Sequence, residues 1–273
     1  MGKFDGILIC TDLDGTLLRN DKSVSAENRE AIDYFQREGG VFTFVTGRMP
    51  FYSAEAYRLA HPNAPFGCIN GGGVYDFEAQ RYIWRQEIDA RVVELMRTID
   101  TALPNVGIVA STFENTYFCK ENSATVSFRA RTHLPELTCD YREIREPMAK
   151  VIFATDCETE LMQVESILRV HPRADHFNML RSERTFFEVL PSGIDKGVAI
   201  TQLAEYLGIP LAHTVALGDY DNDIAMLRAA GLGIAVANSC QAALDAADAV
   251  TVSNEEHAVA RVIYDLADGK YVL

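Results

Sequence analysis

Apolar residues in this chain gather in short unbroken runs, which alternate with longer stretches where they recur every three or four positions. The run "ILIC" at residues 7–10 is bounded by Gly6 and by Thr11-Asp12. A short apolar run closed by turn and polar residues fits a strand buried on both faces. Residues 25–40, "SAENREAIDYFQREGG", follow a helical rhythm: Ser25 stands where a cap accepts backbone N–H groups, Ile32 and Phe35 share a face, and Gly39-Gly40 end the segment. The β-branched and aromatic run "VFTFV" at 41–45 reads as a second strand, and 50–60 as a helix entered through Pro50. "FGCIN" at 66–70 reads as a third short strand, the glycines at 71–73 as its turn, and 74–87 as a hairpin.

The alternation resumes late in the chain. Helices are predicted over 196–209, 222–231, 240–247 and 255–267, with strands over 213–218, 232–238 and 249–253 between them. Regular strand–helix alternation predicts a parallel sheet with helices on both faces. The middle breaks this rhythm, with helices over 89–102, 122–131 and 158–170 and strands near 106–110, 116–120, 150–155, 176–181 and 185–190. Neighbouring strands there read as antiparallel. The expected fold is α/β: a parallel-sheet core built from 1–84 and 190–273, interrupted by an α+β domain over 85–189.

Composition changes this picture in three places. A chain of 273 residues, 48% apolar and 23% charged, buries a sizeable core without disulfide help. A formal net charge of −14 argues against nucleic-acid and anionic-membrane partners, which need basic patches. The apolar stretch at 6–10 is too short for a signal peptide and runs straight into Asp12, so a cytoplasmic protein is expected. The six cysteines form no CxxC pair, which disfavours zinc and predicts reduced thiols.

The chemistry gathers where predicted strands stop. One ends in Thr11-Asp12-Leu13-Asp14, one in Thr46-Gly47-Arg48, and one in Gly218-Asp219 with Asn222 and Asp223 just beyond. Carboxyl ends of parallel strands share one edge, where ligands bind. Asp12, Asp14, Thr46 and Asp219 are therefore expected to converge, and carboxylates so close repel one another. A hard divalent cation on oxygen ligands relieves that repulsion, and Mg²⁺ suits it. Lys196, at a predicted helix start, and backbone N–H groups near Gly15 and Gly47 would complete a phosphate site. Asp12 can then act as nucleophile toward phosphorus, and Asp14 as the acid that protonates the leaving oxygen and later the base that activates water.

These segments also carry a resemblance. "DLDGT" at 12–16, "TGR" at 46–48, "DKG" at 195–197 and "GDYDND" at 218–223 are similar, in order, to the four motifs of the haloacid dehalogenase (HAD) superfamily. "INGGGVY" at 69–75, with the insertion after it, resembles the Cof-type phosphatases of that superfamily, as do "AVANS" and "VTVSN" near the C-terminus. The resemblance implies a HAD-like Rossmannoid core with an inserted cap that selects substrate. It implies Asp12 as nucleophile and metal ligand, Asp14 as acid/base and as a Mg²⁺ ligand through its main-chain carbonyl, Asp219 as the third protein ligand, and Asp223 as support for the metal. Thr46, Gly47, Lys196, Asn222 and the Leu13 N–H would hold the phosphate, with Arg48 a possible substrate contact. Asp195 departs from the serine common at its position and adds negative charge near Lys196. The implied activity is Mg²⁺-dependent hydrolysis of small phosphorylated metabolites, sugar phosphates or similar monoesters, through an aspartyl-phosphate. A phosphomannomutase-like phosphotransferase and a non-catalytic phosphometabolite-binding protein are the alternatives.

Overall fold

The computed structural model describes residues 2–271 and 273. The chain divides into two compact units, Met1–Arg85 with Asp195–Leu273, and Gln86–Ile194. The first unit opens with β1 (Leu8–Thr11), α1 (Ala26–Arg37), β2 (Val41–Phe44), α2 (Ala54–Ala60), β3 (Phe66–Cys68), β4 (Gly73–Asp76) and β5 (Arg81–Arg85). The second unit contributes α3 (Val92–Ala102), β6 (Gly107–Thr112), β7 (Thr116–Lys120), α4 (Ser123–Thr132), β8 (Met148–Ala154), α5 (Glu158–Arg169), β9 (Phe177–Glu183) and β10 (Phe186–Pro191). The chain then returns to the first unit with α6 (Lys196–Leu207), β11 (Thr214–Gly218), α7 (Ile224–Ala229), β12 (Leu232–Ala235), α8 (Gln241–Ala246), β13 (Ala249–Val250) and α9 (Ala258–Ala267).

The first unit holds a parallel sheet in the order β13-β12-β11-β1-β2. Leu8, Ile9 and Cys10 are fully buried because helices cover both faces of the sheet, which is why β1 is apolar at every position rather than at alternate ones. Register aligns the strand ends. Thr11 lies level with Leu217 on one side and with Phe44 on the other, so β1, β2 and β11 run out together. Asp12, Val45-Thr46 and Gly218-Asp219 therefore leave the sheet along one edge, where the strand order turns back on either side of β1. On one face, Leu8, Cys10 and Ala216 pack against Ile200 and Leu203 of α6 and Met226 and Leu227 of α7. On α1, the Ser25 Oγ accepts from Asn28 N at 3.2 Å, as its cap position predicts.

The third short strand forms over Phe66–Cys68, as expected, and lies in a sheet of its own. β3 pairs antiparallel with β4, and β4 with β5, in a separate three-stranded sheet joined to the end of β2 by a single Val45–Gly67 bridge. Gly67 packs so tightly that a Cβ there would come within 2.9 Å of Val45 and Ala199 side-chain atoms. The chain after it turns sharply through left-handed Ile69 and Asn70 (φ +58° and +50°). The strand expected over 249–253 shrinks to Ala249–Val250 at the sheet edge. The helices expected from Pro50 and from Asn222 each begin as a separate 3-10 turn, Pro50–Tyr52 and Asp221–Asp223, before the α-helix proper.

The second unit is a five-stranded antiparallel sheet, β7-β6-β8-β10-β9. Its core is built from Val92, Leu95, Met96 and Ile99 of α3 and Leu161, Val164 and Leu168 of α5, packed with Ile108, Ala110, Val151, Phe153, Phe187 and Val189 of the sheet. Successive residues of a strand point to opposite faces, so Lys150 and Glu188 lie away from those helices. They form a buried ion pair at 3.0 Å, and Ser182 Oγ adds a 2.6 Å bond to the same glutamate.

Candidate active site

Asp12 is still part of the sheet, its N–H donating to Leu217 O at 2.8 Å. The chain then winds into a tight turn, with Leu17 N on Asp12 O at 3.3 Å and Leu18 N on Leu13 O at 2.8 Å. Leu13 is wholly buried and anchors the turn from inside. Gly15 meets two demands at once. Its φ is +86°, and a Cβ would stand 2.6 Å from Asp219 Oδ2. The late asparagines fasten this turn from outside: Asn238 Nδ2 donates to Gly15 O at 2.8 Å and Asn254 Nδ2 to Leu18 O at 3.0 Å.

Lys196 is the first residue of α6 and is buried. Its Nζ lies 2.5 Å from Asp12 Oδ1 and 2.6 Å from Asp223 Oδ1. The other Asp223 oxygen accepts the N–H groups of Asp219 and Tyr220 at 2.9 and 3.1 Å, which shapes the turn that presents Asp219. Asp219 Oδ1 accepts from Thr16 Oγ1 at 2.9 Å. One carboxylate oxygen from each of Asp12, Asp219 and Asp223 falls within 4.8 Å of the others. Asp195 turns its carboxylate to its own helix, accepting from Gly197 N and Val198 N at 2.9 and 3.2 Å. It serves α6 as an N-cap, a task aspartate performs as well as serine.

One ammonium among three carboxylates leaves a surplus of negative charge. Burial raises the Asp12 carboxyl well above its usual range, Lys196 opposes that, and Asp223 and Asp219 reinforce it. Burial and then the Asp223 charge push Asp219 up to about 7. Burial alone would lower Lys196, but Asp12 and Asp223 hold it above the ordinary lysine value. Buried oxygen donors with excess negative charge fit a hard divalent cation such as Mg²⁺. Replacing Lys196 strips two buried carboxylates of the cation that, among the described residues, pairs with both, a loss that typically costs about 3–5 kcal/mol. Lys196→Met is expected to lower the melting temperature in chelator by on the order of 10 °C. Calorimetry would check this, and an unchanged melt would mean the pair is not structural.

The end of β2 brings in a further set of polar residues. Thr46 is buried, and its Oγ1 accepts Arg48 N at 3.3 Å. Gly47 packs on Asn70, whose Oδ1 a Cβ at 47 would meet at 2.9 Å. Asn70 also accepts from Asn222 Nδ2 at 3.0 Å and donates its N–H to Thr46 O at 3.1 Å. Sequence reading missed Asn70 as a site residue, although it joins three residues expected to hold phosphate. The signal was an asparagine before a glycine run, since asparagine tolerates the left-handed φ of +50° found there.

Asp14 lies in different company. Arg48 Nη2 contacts both of its oxygens, at 3.0 and 2.9 Å, and Lys22 Nζ contacts Oδ1 at 2.8 Å. Burial acts to raise this carboxyl, but Arg48 and Lys22 outweigh it and hold it below the usual range. In this structure Arg48, expected as a substrate contact, is thus paired with the acid/base candidate. Lys22 was not singled out by any sequence pattern.

Comparison with known proteins places the chain in a family. The sequence profile of the haloacid dehalogenase-like hydrolases matches residues 9–263. The chain is 28% identical over 261 residues to the 5-amino-6-(5-phospho-D-ribitylamino)uracil phosphatase YitU of Bacillus subtilis, covering 94% of this chain and 96% of that one. It is 26% identical to the phosphatase YwpJ of the same organism, covering 95% and 99% of the two chains. A solved haloacid dehalogenase-like hydrolase from Bacteroides thetaiotaomicron superposes with a TM-score of 0.81 at 27% identity, covering 95% of this chain and 99% of the other. Matched by that profile along nearly its whole length, the chain belongs to the haloacid dehalogenase-like hydrolase family.

Proposed function

We propose that the protein is a Mg²⁺-dependent phosphatase of small phosphorylated metabolites, with sugar phosphates or similar phosphomonoesters as its substrates. The observation that carries this reading is the contrast between two carboxylates two residues apart. Asp12 is buried and tied through one oxygen to Lys196, while Asp14 is half exposed between Arg48 and Lys22. Without metal the Asp12 carboxyl is raised and the Asp14 carboxyl lowered; Mg²⁺ beside Asp12 would favour its charged, attacking form, and a substrate that drew Arg48 away from Asp14 would free that carboxyl to carry a proton.

In the first step Asp12 Oδ2, the oxygen outside the lysine pair, bonds to phosphorus. The bond from phosphorus to the ester oxygen breaks, and the departing oxygen takes its electron pair and a proton from Asp14. In the second step a water oxygen bonds to phosphorus and gives its proton to Asp14, and the Asp12 carboxylate is released with its electron pair. Thr46, Gly47, Asn222, Lys196 and the Leu13 N–H would hold the phosphate oxygens. Mg²⁺, held by Asp12, Asp219 and the Asp14 carbonyl, would offset the combined charge of the carboxylates and the phosphate.

The test is phosphate release from a panel of sugar and polyol phosphates, with no second acceptor added. Activity is expected with Mg²⁺, with loss in excess chelator and recovery on adding Mg²⁺ back. Ca²⁺ is expected to inhibit, because its longer bonds and 6–8 ligands would draw both Asp12 oxygens into coordination. Undiminished turnover in chelator would refute the metal dependence. Phosphate that appears only on a second sugar would point instead to a phosphotransferase.

The curated relative YitU is named for a phosphorylated ribitylaminouracil, so esters of that shape belong in the panel. Among the described residues no helix is long and apolar enough to cross a membrane.

A further inference from the structure

Two cations hold the Asp14 carboxylate, and one of them belongs to no motif. Arg48 follows directly from Thr46 and Gly47. Lys22 sits in the turn after β1, eight residues beyond Asp14, and reaches Oδ1 at 2.8 Å. Its backbone is left-handed, with φ at +66°, a conformation that glycine or asparagine adopts more easily than lysine.

The turn that imposes this conformation is closed by Arg19 N on Ser23 O and Lys22 N on Arg19 O, both at 2.9 Å. Asp21 Oδ1 reinforces it, accepting from Ser23 N at 2.9 Å and Ser23 Oγ at 2.5 Å. The turn is also fastened to a distant part of the chain: Arg19 Nε and Asn20 N donate to the Glu255 carboxylate at 3.0 and 2.7 Å. An exposed ion pair contributes little to stability by itself. A strained lysine, held by a turn anchored at Glu255 and aimed at one carboxylate, has a different use. The Asp14 side chain is 42% exposed and turns about two bonds, so its direction depends on what grips it.

We propose that Lys22 is a positioning residue for Asp14, holding the carboxylate where it receives the proton of the attacking water as phosphate leaves Asp12. This rests on the reading of Asp12 as nucleophile and Asp14 as acid/base. In that step the water oxygen bonds to phosphorus, the bond from phosphorus to Asp12 breaks with its electron pair returning to the carboxylate, and the water proton passes to Asp14.

Rapid mixing of p-nitrophenyl phosphate and Mg²⁺ with the wild type, Lys22→Met and Lys22→Arg tests the assignment. Nitrophenolate leaves without help from an acid, so the first turnover of Lys22→Met should keep the wild-type rate. Its steady-state rate should fall about tenfold, less than the 10²-fold that a 1 Å misplacement can cost. Lys22→Arg should recover most of that loss, and the melting temperature should stay that of the wild type. Equal steady-state rates for Lys22→Met and wild type would overturn the inference alone. So would a fall shared by the first turnover, or a loss that arginine does not repair. A wild type that releases no phosphate from any ester in the panel would overturn the phosphatase reading and this inference with it.

Discussion

Asp12→Asn is expected to abolish turnover on every substrate. The amide keeps the shape of the carboxylate but is a poor nucleophile and a weak ligand for a divalent cation. Losses of about 10⁶-fold accompany removal of a nucleophile in other covalent enzymes. The fold should survive, because Lys196 keeps Asp223 as a partner at 2.6 Å. Stability should even rise in chelator. Burial and the neighbouring carboxylates raise the Asp12 carboxyl in the folded state, so its charge costs stability once the pH exceeds its unfolded value. The amide removes that cost. Two measurements check this together: phosphate release, and a thermal melt without metal. A variant that melts normally and retains a hundredth of wild-type activity would exclude covalent catalysis through Asp12.

Asp14→Asn should behave differently. Its main-chain carbonyl, the proposed Mg²⁺ ligand, is untouched, so metal binding should largely persist. The group that disappears is the proton donor and, in the second step, the base. General acid–base groups contribute about 10²–10⁴-fold, and kcat for sugar phosphates should fall by that factor. Esters of nitrophenol need little protonation of the leaving oxygen and should lose less. With such an ester, formation of the phosphoenzyme should outrun its hydrolysis, giving a burst of nitrophenolate and then a slow steady state. Equal losses on activated and unactivated esters, without a burst, would remove Asp14 from the acid/base role. A weaker copy of the same burst is expected when Lys22, rather than Asp14, is changed.

Much of the fold was legible because periodicity records which faces are buried. The apolar run of β1 and the helical rhythm ending at Gly39-Gly40 located the first strand–helix unit within a residue or two. The polar residues that stop β1, β2 and β11 marked the functional edge, since a parallel sheet aligns its strand ends. The length and pattern of a short run do not say which partner it pairs with. Phe66–Cys68 could continue the parallel sheet or start another, and only its antiparallel pairing with β4 decides that.

The site divides in the same way. By itself the sequence determined that Asp12 and Asp14 stand at the end of a buried strand, that Thr46 and Asp219 end strands of the same sheet, and that Lys196 starts a helix. Each of these follows from local pattern. Tertiary structure alone decided which charges meet. Lys196 lies between Asp12 and Asp223, 184 and 27 residues away in sequence, and Asn70 bonds Asn222 across 152 residues. Lys22 and Arg48, 8 and 34 residues further along the chain, both close on Asp14. The pairing of a charge depends on how the chain closes in space and on what solvent that closure excludes, and neither quantity is written in the spacing of residues along a strand or a helix.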